Sequence, residues 1–80
     1  MKLPRDLSGA ELARALAKEG YAVTRQTGSH LRLTLTAEPQ HHITIPAHVP
    51  LKVGTLAAIL AEVAQRLQTD RDALLARLKL

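Results

Sequence analysis

Residues 25–36 read RQTGSHLRLTLT, and the alternation within them constrains the chain more than any other feature. Leu31, Leu33 and Leu35 fall on one face of a strand, and His30, Arg32, Thr34 and Thr36 on the other. Such a strand lays its leucines on a core and leaves its second face to water, as in an antiparallel sheet covered by helices on one side. Packing alone gives no reason for a histidine straight after Gly28-Ser29, or for an arginine two residues further on.

The flanking segments supply the rest of the architecture. Leu7-Ser8-Gly9-Ala10-Glu11-Leu12 is a helix start, with Ser8 and Glu11 in capping-box positions and Leu7 and Leu12 as a hydrophobic staple. Leu12, Ala15 and Leu16 form its buried stripe, and Gly20 stops it. Tyr21 to Gln26 reads as a short strand. Thr27-Gly28 then turns the chain, with Gly28 expected as the left-handed bulge residue that re-aims Ser29 and His30.

The second strand is expected to run to about Thr36. The third spans His41 to Ile45, with Ile43 and Ile45 inward and His42 and Thr44 outward, and Pro46 ends it. Residues 46–54 form a loop before an amphipathic helix bearing Leu56, Ile59, Leu60, Val63 and Leu67, capped by Thr55. Thr69-Asp70-Arg71-Asp72 caps a short extra helix, about residues 69–79, bearing Leu74, Leu75 and Leu78. The fold class is α+β. Its order is α-β-β-β-α, a three-stranded antiparallel sheet with helices on one face and one extra C-terminal helix.

Eighty residues make one small domain, residues 1–80, which buries about 60–65% of its unfolded surface. Cysteine is absent, which removes disulfides and thiolate metal sites and suits a reducing compartment. No apolar run approaches the roughly 20 residues needed to span a bilayer, and the start MKLPRDLSG lacks the apolar stretch of a secretory signal. A cytoplasmic protein with no membrane partner is expected.

Eleven basic against seven acidic residues give a formal net charge of +4, which favours a polyanionic partner. Tyr21 is the single aromatic residue, which argues against binding by base stacking and leaves phosphates and shape.

His30 is the residue suited to general acid–base work, since an imidazole exchanges protons near neutral pH; the plain reading is a polar side chain on a solvated strand. Arg32 shares its face and suits a phosphate, with Arg25 and Lys18 as further cations. Lys52, ahead of Gly54-Thr55 at a helix start, adds an anion-binding position.

His41 and His42 are adjacent on a strand, point to opposite faces and cannot chelate one ion together. His30 and His42 could meet across two strands, but two nitrogens fall short of the three or four ligands zinc takes, so no metal and no cofactor is expected. His48 either lines the same site or closes its loop by hydrogen bonds. No Walker loop, dinucleotide-binding glycine fingerprint or usable Ser-His-Asp spacing is present.

SGAELARALAKEGY, then RQTGSH, then ITIPAH, then LKVGTLAAIL occur in an order that resembles the HicA (YcfA-like) toxins over about residues 3–64. The resemblance implies a fold similar to the double-stranded RNA-binding domain. It also implies a type II toxin that acts as a ribosome-independent mRNA endoribonuclease, or mRNA interferase, restrained by a HicB-like antitoxin. It assigns the catalytic histidine of Gly-Ser-His to His30 and places the Pro-x-His histidine at His48, supporting at most. From the residues themselves, His42, His48 or water could supply the complementary acid or base, Ser29 could support His30, and Gly28 is the structural turn.

This sequence departs from the family pattern at Thr27, where a basic residue is usual, and at Val53, where proline is common. It adds Gln65 to Leu80, which leaves room for a partner or dimer contact. The alternative is the same fold gripping structured RNA without cutting it. A third reading is a basic face that meets an acidic protein.

Overall fold

The computed structural model describes residues 3–80. Its elements are α1 (Gly9–Leu16), a 3₁₀ turn (Ala17–Glu19), β1 (Tyr21–Thr27), β2 (His30–Leu35), β3 (His41–Pro46), α2 (Val53–Arg66) and α3 (Arg71–Leu78). The start of α1 is the expected capping box. Ser8 Oγ accepts from the Glu11 backbone N–H, and Glu11 Oε1 accepts from the Ser8 backbone N–H, both at 3.0 Å. That second bond is the main reason the Glu11 carboxyl is held below the ordinary glutamate range. Leu7 and Leu12 are buried beside it, and Gly20 closes the 3₁₀ turn in the left-handed region.

The sheet order is β1-β2-β3, antiparallel throughout, so β2 is central. Leu31, Leu33, Leu35, Ile43 and Ile45 line its apolar face and join Leu12 and Leu16 of α1 with Leu56, Leu60 and Val63 of α2 in one core. The arrangement is the expected one: α-β-β-β-α with a three-stranded antiparallel sheet flanked by helices and an added C-terminal helix. Asp70 caps α3, accepting from the Ala73 N–H at 2.8 Å. The face read as room for a partner is committed to the core, with Leu74, Leu75 and Leu78 each at most 1% exposed. An Arg77–Glu19 ion pair ties α3 to the 3₁₀ turn.

Local expectations fail at four places. Thr27 belongs to β1 and pairs with His30, so the loop is Gly28-Ser29. Gly28 takes φ +52° and Ser29 is not left-handed, the pattern of a two-residue turn with glycine first, and β-branched Thr27 suits the strand better than the turn. The bulge lies instead within β1, where Val23 pairs with Leu33 and Arg25 with Arg32, leaving Thr24 unopposed. β2 stops at Leu35, and β3 extends through Pro46, tolerated at the end of an edge strand. Lys52, not Thr55, is the N-cap of α2, and it makes no side-chain capping bond.

Candidate nucleic-acid interface

The open face of the sheet is organised in rows across the strands. The first row is Thr27–His30–Pro46, the second Arg25–Arg32–Thr44, and the third Ala22–Thr34–His42. No acidic residue occurs in any of the three strands, so Arg25 and Arg32 contribute charge there unopposed within the sheet. His30, Arg25, Arg32, His42 and Thr44 are all exposed. The nearest polar partner of His30 is Ser29, whose Oγ lies 3.4 Å from Nδ1, a long contact that leaves the ring open to a ligand.

His42 does not meet His30. Two rows of antiparallel strand separate them, about 13 Å along the sheet. The Nδ1 of His42 instead lies 2.9 Å from Thr34 Oγ1, which is 2.9 Å from Thr24 Oγ1. Thr34 lies on the open face as expected, yet it is only 5% exposed, because it sits in the central strand between Thr24 and His42. Among the described residues no group of three or more His, Cys, Asp or Glu side chains is placed to hold a metal ion.

The remaining predicted residues divide. The Ala47 N–H bonds Ser29 O at 2.6 Å, the Gly9 N–H bonds His48 O at 3.1 Å, and the Leu51 N–H bonds Leu7 O at 2.7 Å. These bonds gather the His30 turn, the starts of α1 and α2, His48 and Lys52 at one end of the molecule. His48 closes its loop through its carbonyl while its side chain is exposed. Both helices begin there, so their positive dipole ends add to the field of Lys52. Lys18 is elsewhere: it follows α1 in the helix layer, in a cleft with Leu7, Arg14 and Leu78, and is not on the open face.

Sequence reasoning missed a polar cluster at the opposite end. His41 lies in β3 with Nδ1 2.6 Å from the Tyr21 hydroxyl and Nε2 3.0 Å from Glu62 Oε2. A carboxylate only accepts, so Glu62 takes the Nε2–H and leaves Nδ1 to accept from the phenol. Burial is the main cause that pushes the Tyr21 hydroxyl above its ordinary pKa. Arg66 of α2 completes this end by donating to the carbonyls of Ala37 and Pro39 in the β2–β3 turn. A lone tyrosine opening β1 opposite Leu35 was a visible signal; the reach of Glu62 from another element was not.

Fold and face together define a small α-β-β-β-α protein of the double-stranded RNA-binding-domain type, with a histidine at a turn beside a basic, open sheet. The family model for the HicA toxin of bacterial toxin-antitoxin systems matches residues 9–64, and the chain belongs to that family. The match takes in α1, the whole sheet and most of α2; α3 lies outside it. Neither a curated protein nor a solved structure matches the chain. Among the described residues no helix is long and apolar enough to cross a membrane.

Proposed function

We propose that the chain is a cytoplasmic mRNA endoribonuclease in which His30 transfers the proton, restrained by a HicB-like antitoxin that covers the open face. One observation carries this reading. Of the two histidines on the open face, His42 is engaged by Thr34 at 2.9 Å, while His30 has only the long Ser29 contact and stands one row from two arginines. In the metal-independent reaction the RNA 2′-oxygen bonds to the adjacent phosphorus and the bond from phosphorus to the 5′-oxygen breaks. A base takes the 2′-hydroxyl proton and an acid delivers one to the leaving oxygen. His30 fills one role and His48 or water fills the other, while Arg32 and Arg25, one row away, hold the RNA backbone by its phosphates.

Two arms test this. Purified protein and its His30→Ala variant are mixed with labelled RNA without ribosomes, in excess chelator. Cleavage by the parent and a rate lower by roughly 10²–10⁴ in the variant are expected. The variant should melt within about 0.5 kcal/mol of the parent, since an exposed strand position contributes little to stability. Cleavage at the parental rate by the variant would remove His30 from the reaction. Bound but intact RNA with the parent protein would favour the non-cutting module.

A further inference from the structure

The row beside His30 is built in an unexpected way. Tyr21 and Val23 pair with Leu35 and Leu33 on the apolar side, and strict alternation would send Arg25 to that side as well. The extra residue at Thr24 reverses the alternation and turns Arg25 onto the open face, directly opposite Arg32. Two like charges at one cross-strand position are unfavourable in the free protein. Neither guanidinium has an ion-pair partner among the described residues.

The bulge that creates this pair is held in place. Thr24 Oγ1 lies 2.9 Å from Thr34 Oγ1 and donates at 3.4 Å to the Arg32 carbonyl, and Thr34 is fixed in turn by His42 Nδ1 at 2.9 Å. A bulge that brings two cations together and is clasped by a polar chain has its electrostatic compensation outside the protein.

We infer that Arg25 and Arg32 form one anion clamp for a single RNA phosphate, distinct from the phosphate at His30, and that Thr24, Thr34 and His42 are positioning residues for it. The clamp row is one strand repeat from the His30 row, about 6.6 Å, a distance that one nucleotide step covers. The gripped phosphate is therefore the neighbour of the one that His30 serves. The RNA strand lies with its backbone along the β-strands and is gripped by phosphate rather than by its bases, because Tyr21, the one Phe, Tyr or Trp side chain, is buried and gives the open face no stacking platform.

This rests on the endoribonuclease reading for the identity of the anion, so the test separates the two. The probe is a 2′-O-methyl oligonucleotide, which the proposed chemistry cannot cut, carrying an uncharged methylphosphonate at each linkage in turn. Arg25→Ala and Arg32→Ala should each weaken binding to the fully charged strand roughly three- to tenfold, and the double variant little further. Neutralising one particular linkage should reproduce that loss in the parent and cause no added loss in the Arg25→Ala variant. Thr34→Val should melt near the parent and weaken binding of the charged strand, but add nothing in the Arg25→Ala background.

Additive losses for the two arginines, or equal sensitivity of Arg25→Ala to every neutralised linkage, would overturn the clamp. So would unimpaired binding by either arginine variant. A Thr34→Val loss that adds fully to Arg25→Ala would overturn the positioning roles. Coupled binding in a protein that never cleaves RNA would sink the endoribonuclease reading and leave the clamp standing.

Discussion

Gly9 offers a test in which local propensity and packing predict opposite signs. As the first residue of α1, it should gain about 0.5–1 kcal/mol on replacement by alanine if helix propensity decided the matter. A Cβ on Gly9, however, would stand 2.0 Å from the Pro46 carbonyl oxygen, 3.0 Å from its carbon and 3.1 Å from Ala47 Cα. These are backbone atoms, and they are pinned: Pro46 pairs with His30, and the Ala47 N–H holds Ser29 O at 2.6 Å. Relief has to come from lifting α1 off the loop, which stretches the 3.1 Å bond from the Gly9 N–H to His48 O.

Overpacking of this kind costs about 1–3 kcal/mol and the lost hydrogen bond about 0.5–1.5, so Gly9→Ala should destabilise by about 2 kcal/mol net of propensity. For a chain of this size that lowers Tm by about 8–16 °C. Gly54 is the control, since it lies in the first turn of α2 and a methyl group added there would meet nothing within 4 Å. Gly54→Ala should hold or raise Tm. Thermal melts by circular dichroism measure both, and a Gly9→Ala protein that melts at or above the parent refutes the packing argument. Because the displaced loop is the one bonded to Ser29, the proposed endoribonuclease activity should fall in the same variant.

Leu74→Ala should cost about 2–5 kcal/mol in denaturant unfolding, since its side chain is fully buried although α3 lies outside the family match; a loss under about 1 kcal/mol would make α3 an appendage. Burial raises the Tyr21 pKa, so the folded protein holds the phenol proton more tightly than the unfolded chain. That contribution to stability is complete below the ordinary value of about 10 and is lost as pH rises through the folded value. Urea midpoints between about pH 8 and 11 should fall in the parent and stay flatter in Tyr21→Phe; parallel curves would refute the link.

The helices were legible because their signals are local. Ser8 and Glu11 sit three apart, Asp70 precedes Ala73 by three, and the apolar stripes of α1 and α2 repeat at helical spacing. The strands were legible from the leucine alternation of β2, which fixes the faces of both neighbours through pairing. The bulge at Thr24 was not, because whether an alternation slips depends on which partner each residue finds across the ladder. Tyr21, Val23 and Arg25 look like one continuous inward set until Leu33 and Arg32 are known to be consecutive partners. For the same reason His30 and His42 could be placed on one face from sequence while their separation could not.

The four histidines show what the structure adds to a count of titratable groups. A ring whose two nitrogens are both committed has no lone pair or proton to offer a ligand without first breaking a bond. His41, held by the Tyr21 hydroxyl and the Glu62 carboxylate, is in that position, and with Arg66 on the Ala37 and Pro39 carbonyls it ties the far end of the sheet to α2. His42 has one nitrogen bound within the clasp on the bulge. His48 uses its backbone carbonyl to fasten α1. That leaves His30, exposed and only loosely touched by Ser29, at the end where both helices begin and beside the paired arginines. Histidine substitutions should therefore separate by position: changes at His41 act on stability, changes at His42 on phosphate affinity, and changes at His30 on the rate of proton transfer.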